Sequence, residues 1–319
     1  LALLEATGPT ALTELGGGSV RPSVKALEQA GYVAVKQEAV RRDPDAGEEF
    51  LESKPHQLNE GQQLAYDAIC KAVDAAIEIQ DPTSKIQDPK SAKPILLHGV
   101  TGSGKTEVYL QAAQHVLDLG RSVLVLVPEI ALTPQTVNHF KSRFAKLQDQ
   151  VAVLHSHLSQ GERFDEWHRI HKGLARVVVG ARSAIFAPLP DPGIIIVDEE
   201  HENTYKQENP PKYHGRDLAV VRAAMEGCPV VLGSATPALE SYHNAKSGKY
   251  DLIRLNERAD GASLPLIRIV DMRLETRKQK SALAILSDRL RTGIETRLKE
   301  GAQVILFLNR RGFARSLQC

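Results

Sequence analysis

The chain has 319 residues, of which 42% are hydrophobic and 25% are charged, and its formal net charge is +1. This composition is ordinary for a globular protein with room for two domains, and it argues against a globally basic nucleic-acid-binding protein, so any contact with nucleic acid must be local. Three widely separated cysteines argue against a disulfide framework and favour a reducing compartment, and no apolar run approaches the roughly 18 residues of a transmembrane span.

Residues 1–52 are predicted to form a small separate unit, in a chain that begins at Leu1 rather than at Met and that we expect to be a fragment. Two or three short helical segments end at Gly31, and residues 32–35 begin a predicted strand. Short helices followed by a hairpin are typical of a winged-helix module, and a generic helical cap is the alternative. Residues 41–45 and 53–55 carry prolines and charges and are predicted to be a linker.

A long helix is predicted to begin beside Asn59, a good N-cap, because apolar residues from 64 to 77 recur at helical spacing. Continuous apolar runs then predict strands buried on both faces, at 95–98, 123–127, 151–154, 177–180, 194–197 and 230–233. Helical patterns lie between most of these runs, at 105–119, 134–147, 159–173 and 215–226. This alternation predicts an α/β fold with a doubly wound parallel sheet, in which ligands bind beyond the carboxyl ends of the strands.

A phosphate-binding loop is predicted at residues 99–106, which read Gly-Val-Thr-Gly-Ser-Gly-Lys-Thr between a predicted strand and a predicted helix. The backbone N–H groups of the loop and the start of the helix suit a triphosphate. The residues predicted to form this phosphate cradle are Gly99, Gly102, Ser103 and Gly104. Lys105 would reach the β- and γ-phosphates, and the Thr106 hydroxyl would take a magnesium position. The alternative is a glycine-rich turn with a solvated lysine.

Polar residues also follow two further predicted strands. Thr133 lies beyond 123–127, and Arg182 and Ser183 lie beyond 177–180, where they would suit a nucleic-acid phosphate track or, alternatively, a turn or helix cap. The pair of histidines at 155 and 157 has no nearby acid or cysteine to complete a metal site, so we do not assign one.

An acidic pair and a histidine follow the predicted strand 194–197. Beside a phosphate loop, we expect Asp198 to hold Mg²⁺, Glu199 to orient or deprotonate the attacking water, and His201 to sense the γ-phosphate. The alternative is a strand end with solvated acids and a surface histidine. The next run ends in Gly-Ser-Ala-Thr-Pro at 233–237, whose hydroxyl groups could hydrogen-bond to the acid–histidine motif.

The segment 202–216 is rich in aromatic and cationic residues, although aromatic residues make up only 5% of the chain. Aromatic rings stack on unpaired bases and cations hold backbone phosphates. A loop leaving the acid–histidine motif is therefore predicted to couple DNA contact to ATP hydrolysis, and a proline-containing surface loop with locally packed tyrosines is the alternative. A second α/β unit is predicted after residue 256, with a strand at 266–271, a helix at 285–299 and a strand at 304–308.

The motifs GVTGSGKT, PEIALT, VVVGARSAIFAP, DEEH, GSATP and FLNRRGF resemble those of superfamily 2 helicases. The pairing of DEEH with an aromatic-rich loop, and the segments VGARSAIFAPL and NRRGF, resemble the PriA family of bacterial replication-restart helicases. The resemblance is strong over residues 56–319 and weak over 1–50. It implies a winged-helix-like module at 1–52, a RecA-like ATP-binding lobe at 53–256, and the truncated start of a second RecA-like lobe at 257–319.

Residue by residue, the resemblance implies that Gln62 reads adenine. It implies that Gly102, Gly104, Lys105 and Thr106 bind phosphate and magnesium, that Asp198 and Glu199 are the hydrolytic pair, and that the DNA-sensing loop contains Tyr205, Lys206, Tyr213 and Arg216. Cys319 matches the first ligand of a zinc-binding insertion. Because structural zinc takes four ligands and the other cysteines are missing here, we expect Zn²⁺ only in the full-length protein.

The resemblance further implies a 3′-to-5′ DNA helicase that uses ATP and Mg²⁺ in the bacterial cytoplasm, away from membranes. Its expected partners are forked or single-stranded DNA, single-stranded-DNA-binding protein and primosome proteins. Another superfamily 2 translocase, RecG-like or of restriction type, and a nucleotide-gated scaffold are the alternatives; Glu199 argues against the scaffold. Because second-lobe arginines are worth about 10³–10⁵ in rate, these 319 residues alone are expected to bind nucleotide but hydrolyse it poorly.

Overall fold

The computed structural model describes residues 10, 15, 20–35, 53–80, 93–132, 134–144, 149–156, 158–259, 261, 266–274 and 286–307. The chain divides into two compact units, Leu1–Ala262 and Ser263–Cys319. The domain boundaries predicted after residues 52 and 256 stay predictions, as does the winged-helix module, most of which lies outside the described residues. No described helix is long and apolar enough to cross a membrane.

The first unit is built on a seven-stranded sheet in which each observed strand pairing is parallel. In chain order the strands are β1 (Ile95–Gly99), β2 (Ser122–Leu126), β3 (Val151–Leu154), β4 (Val177–Gly180), β5 (Pro192–Val197), β6 (Val230–Ser234) and β7 (Asp251–Leu255). Their spatial order is β3-β4-β2-β5-β6-β1-β7. Because the strands are parallel, all their carboxyl ends lie at one edge of the sheet, and β1, β5 and β6 are neighbours there.

The described helices are α1 (Arg21–Gln29), α2 (Glu60–Gln80), α3 (Lys105–Asp118), α4 (Pro134–Arg143), α5 (Gln160–His171), α6 (Gly215–Glu226), α7 (Leu239–Lys246) and α8 (Asp288–Lys299). Local capping fixes several of their starts. At α2, the Asn59 side chain accepts from the Gln62 backbone N–H at 2.9 Å, and the Gln62 side chain accepts from the Asn59 N–H at 2.9 Å. At α5, Ser159 and Glu162 form the same reciprocal pair.

Two hydrophobic clusters cover the two faces of the sheet, which confirms the predicted doubly wound α/β fold. In β5, for example, Ile194 and Ile196 belong to the cluster that contains α2 and α3 residues. Ile195 and Val197 belong to the other cluster, which contains α5 and α6 residues. Alternate side chains of one strand thus enter opposite cores, so each strand must be apolar throughout.

Some sequence predictions were wrong. Residues 32–35, 266–271 and 304–307 form no strand, because an extended segment becomes a strand only by pairing its backbone groups with a neighbour. The apolar side chains at 266–271 are mostly exposed, Ile269 by 93%. Residue 308 of the last predicted strand lies outside the described residues. The sequence analysis also missed β7, which pairs with β1 at the sheet edge, and α7 before it.

Candidate nucleotide site and the adjoining aromatic loop

The loop between β1 and α3 has the conformation of a phosphate cradle. Gly102 and Gly104 have φ angles of 79° and 78°, in the left-handed region where glycine is favoured. Gly99 is needed for another reason: a Cβ there would lie 2.5 Å from the Ser103 hydroxyl oxygen. Gly104 directly precedes α3, so the N–H groups at the helix start are turned toward the same place.

Lys105 lies inside this loop rather than in solvent, since only 7% of the residue is exposed. Its ammonium Nζ donates to the Gly99 carbonyl at 2.9 Å, which holds the side chain across the cradle. The Ser103 hydroxyl is buried and has no hydrogen-bond partner among the described residues. A buried cation and an unpartnered hydroxyl at the start of a helix fit an oxyanion such as a phosphate. A solvated lysine on a plain turn does not fit this arrangement.

Gln62 packs against the loop from outside. The residue is 5% exposed, and its amide Nε2 donates to the Ser103 carbonyl at 2.8 Å. The amide nitrogen also lies 2.3 Å from where a Cβ on Gly104 would stand, so any other residue at 104 would displace it. The structure therefore places Gln62 directly beside the phosphate cradle, 41 positions away in sequence.

Asp198 follows β5 and lies near the cradle. Its Oδ1 is buried without a hydrogen-bond partner among the described residues. Burial and the charge of Glu199 raise the pKa of Asp198 to about 6, and the positive charge of Lys105 opposes this rise. Lys105 and Asp198 are thus close enough for their charges to interact at the carboxyl ends of the strands.

The environment of Asp198 suits a divalent cation. Beside it, the Tyr109 hydroxyl is buried, and burial, followed by the charges of Asp198 and Glu199 and a hydrogen bond to Asp198, raises the pKa of Tyr109 well above its ordinary value. Unneutralised carboxylate charge of this kind is what bound Mg²⁺ would offset. Thr106, the second residue of α3, and Asp198 are the residues that could hold the ion.

Glu199 and His201 form the next part of the site. Glu199 has a φ of 42°, uncommon for a residue other than glycine, and such strain often occurs at functional sites. The Nδ1 atom of His201 lies 3.6 Å from Glu199 Oε2, and its Nε2 atom lies 3.9 Å from Glu202 Oε1. The Ser234 hydroxyl, at the end of β6, lies 2.7 Å from the same Nδ1. The predicted contact between the GSATP segment and the acid–histidine motif is confirmed.

Sequence reasoning missed Glu200, which lies at the centre of this region. It is fully buried, and its carboxylate accepts from Arg216 Nη1 at 3.2 Å, from the Ala238 N–H at 2.7 Å and from the Ser241 hydroxyl at 2.8 Å. Glu200 therefore fastens the acid–histidine motif to the start of α6 and to the segment after β6. Within the acid–histidine motif, nothing in the sequence indicates that Glu200 has a structural role different from that of the neighbouring acids.

The aromatic-rich loop folds as a short hairpin. Lys206 and His214 form an antiparallel bridge, and the Gln207 N–H donates to the Tyr213 carbonyl at 2.8 Å. Arg182 supports it: its guanidinium donates to the carbonyls of Thr204 and Lys206 at 2.9 and 2.6 Å and lies 5.8 Å from the centre of the Tyr213 ring. A cavity of about 460 Å³ is lined by Lys206, Gln207, Glu208, Lys212, Tyr213 and His214.

Two residues predicted to contact DNA have other roles. Tyr205 is fully buried, and its hydroxyl donates to the carbonyls of Leu126 at 3.1 Å and Asp198 at 2.7 Å, so it cannot stack on a base. Arg216 is 8% exposed, and its guanidinium is paired with Glu200 and with Asp217 at 2.9 Å, so it is not available to a phosphate.

The remaining predicted DNA residues divide into two groups. Lys206 and Ser183 are exposed and Arg182 and Tyr213 are half-buried, so these four remain accessible, although Arg182 also donates to two carbonyls of the loop. Thr133 and the predicted zinc ligand Cys319 lie outside the described residues. Among the residues that the structure describes, no group of three or more histidine, cysteine or acidic side chains could hold a metal ion.

A sequence model of the DEAD/DEAH box helicase family matches residues 78–245, more than half of the chain. The chain belongs to this family. Membership confirms the RecA-like assignment of the sheet, because the match runs from α2 through the phosphate loop and the acid–histidine motif to α7.

Curated relatives of this helicase-family chain include replication restart proteins. The chain is 46% identical to replication restart protein PriA of Bacillus subtilis (strain 168) over 297 residues, which is 93% of this chain and 34% of that protein. It is 49% identical to the protein of the same name from Chlamydia pneumoniae over 225 residues, 70% of this chain and 30% of that protein. The chain thus spans about a third of the length of these relatives.

Among solved structures, RecG bound to a three-way DNA junction aligns with a TM-score of 0.44 and 22% identity, covering 68% of this chain and 25% of that chain.

Proposed function

We propose that this chain contains the nucleotide-binding lobe of an ATP-driven DNA helicase that restarts replication. The observation that supports this most is the convergence of Lys105 and Asp198 at the carboxyl edge of one sheet, with unpartnered buried polar atoms around them. Similarity to replication restart proteins over 93% of the chain supports the choice of biological process.

In the proposed mechanism, Mg²⁺ would be held by Thr106 and Asp198 and, when bound, would neutralise charge on the phosphates. The loop N–H groups and Lys105 bind the triphosphate, and Lys105 exchanges its bond to the Gly99 carbonyl for one to phosphate. Glu199 orients the attacking water and accepts its proton. His201 lies between Glu199 and Ser234, so a change at the γ-phosphate would pass to the segment after β6.

The aromatic-rich loop is the proposed DNA contact. Lys206 would hold a backbone phosphate and Tyr213 would stack on an unpaired base. Both ends of this loop are bonded to the acid–histidine motif, through Tyr205 to the Asp198 carbonyl and through Arg216 to Glu200. These two buried residues therefore act as positioning residues, and they connect movement of the loop to the backbone that carries Asp198 and Glu199.

The finer parts of the proposal come from the resemblance described above. They are 3′-to-5′ polarity, action at stalled or abandoned forks, contact with single-stranded-DNA-binding protein and primosome proteins, and location in the bacterial cytoplasm. Zinc is proposed only for the full-length protein. A polypeptide restricted to these 319 residues is proposed to bind nucleotide and turn it over slowly.

DNA binding tests the proposal for the loop. We expect the double variant Lys206→Ala/Tyr213→Ala to weaken binding of labelled single-stranded and forked DNA in fluorescence anisotropy, with ADP affinity unchanged. Lys249→Ala is the matched control, because Lys249 is exposed at the turn before β7, on the amino edge of the sheet. Equal DNA affinity of the double variant and the control would contradict the assignment. In the full-length protein, displacement of strands from 3′-tailed but not 5′-tailed duplexes would support the polarity, and the reverse preference would contradict it.

A further inference from the structure

The segment that follows β7 is bonded to the phosphate loop. The Val100 N–H donates to the Leu255 carbonyl at 3.1 Å, and the Ala259 N–H donates to the Gly102 carbonyl at 2.8 Å. These two bonds fix residues 255–259 along the outer side of the cradle. Sequence patterns gave no indication of this, because the segment lies more than 150 positions after the loop and carries no motif.

Arg258 lies in this segment with its guanidinium against Gly102. From the place where a Cβ on Gly102 would stand, the atoms Nε and Nη2 of Arg258 are both 3.5 Å away and Cζ is 3.7 Å away. Because Cζ is farther away than the two nitrogens, the guanidinium approaches the loop obliquely, by its Nε–Nη2 edge, which does not cover both of its faces. Arg258 is half-buried, so part of the group remains accessible.

Gln62 lies on the same side of the loop. Gly104 has both the Gln62 amide and the Ala259 side chain near its missing Cβ, at 2.3 and 3.6 Å. Lys105, in contrast, bonds to Gly99 and influences Asp198, which places the phosphate-binding charges toward β1 and β5. A nucleotide with its phosphates in the cradle must therefore extend its nucleoside end past Gln62 and the segment 255–259.

We propose that Arg258 binds the nucleoside end of the nucleotide, with its planar guanidinium stacked on the base. This inference rests on the proposed function. A planar cation is suited to stacking on an aromatic ring, where lysine is not equivalent. Stacking does not distinguish one base from another, so Arg258 contributes affinity whichever base the nucleotide carries, and it is a binding residue, not a catalytic one.

Binding of ADP and of inorganic pyrophosphate in the presence of Mg²⁺ separates a base contact from a phosphate contact. We expect Arg258→Ala to weaken ADP and GDP by roughly 5- to 30-fold, as the loss of one cation–π contact implies, and to leave pyrophosphate affinity unchanged. Arg258→Lys keeps the charge but loses the plane, so it should weaken ADP nearly as much. Arg254→Ala, on the exposed edge of β7, is the matched control and should bind ADP like the wild type.

Each outcome has one meaning. Unchanged ADP affinity in Arg258→Ala would overturn the inference, and so would an equal loss for ADP and pyrophosphate, which would indicate a phosphate contact. Retained pyrophosphate binding shows that the variant is folded. A wild-type chain that binds ADP but not pyrophosphate would contradict the phosphate cradle, and one that binds neither would contradict the proposed function itself.

Discussion

Replacing Asp198 by asparagine is expected to stabilise the protein at neutral and alkaline pH. Burial, together with the charge of Glu199, raises the pKa of Asp198 from 3.8 to about 6 in the folded protein. The folded state therefore disfavours the ionised carboxylate. A difference of about 2 pKa units corresponds to about 3 kcal/mol, and this destabilisation is absent below about pH 4, grows between pH 4 and 6, and is complete above pH 6.

The Asp198→Asn variant removes this charge, so without nucleotide or Mg²⁺ its free energy of unfolding should exceed that of the wild type by about 1–3 kcal/mol at pH 8. The lower end of the range allows for the new amide donors, which have to find partners in a buried place. Near pH 4 the gain should be small, because the folded wild-type carboxyl is then protonated and the unfolded one is only partly ionised.

Urea unfolding at pH 8 and at pH 4.5 measures the difference. Asp251→Asn is the control, because Asp251 is an exposed carboxylate on β7, and its substitution should change stability little at either pH. A variant at Asp198 that is no more stable than the wild type at pH 8, or whose gain is the same at both pH values, would refute the argument that this charge is held unneutralised in the folded protein.

Three further substitutions test separate parts of the site. Lys105→Ala should keep the fold and lose about 10-fold or more in ADP affinity by titration calorimetry, since charged hydrogen bonds to phosphate are worth about 1.5–3 kcal/mol; unchanged affinity would show that the site is misplaced. In Gly233→Ala the new Cβ would lie 1.5 Å from the Tyr109 hydroxyl oxygen, so stability should fall by about 1–3 kcal/mol, and adding Tyr109→Phe should recover part of the loss; no loss in the single variant would contradict the packing. Tyr205→Phe removes the donor to the Asp198 carbonyl, while the Leu126 carbonyl keeps the Asp198 N–H, and it should cost about 1–3 kcal/mol in urea unfolding, whereas a surface tyrosine would tolerate the change.

The sequence predicted the central strands well because strands buried on both faces must be apolar at every position. The run 194–197 is an example, with alternate isoleucines in opposite cores. The edge strand β7 was not predicted because it is not buried on both faces, so its sequence does not have to be apolar throughout. Among the strands that the structure describes it pairs with β1 alone, its first residue is exposed, and its residues Asp251 and Arg254 interrupt the apolar pattern. The phosphate loop was predictable because its glycines and lysine are required at fixed spacing by backbone geometry.

Predictions for the aromatic-rich loop were less successful because composition does not reveal which way a side chain points. Tyr205 and Tyr213 have the same chemistry and lie eight positions apart, yet one is fully buried and the other lines a surface cavity. Arg216 could equally bind phosphate or a carboxylate, and the buried Glu200 that pairs with it belongs to a motif whose other acids suggested catalysis. Such choices depend on contacts between residues distant in sequence, as does the position of Arg258 beside the phosphate loop.

A crystal structure of the protein with Mg²⁺ and ADP would test the central claim most directly. We expect the β-phosphate to lie on the N–H groups of residues 102–106, Lys105 to leave the Gly99 carbonyl for phosphate, and the metal to lie between Thr106 and Asp198. A nucleotide bound elsewhere on the molecule, or one bound in the loop with Asp198 far from its metal ion, would contradict it.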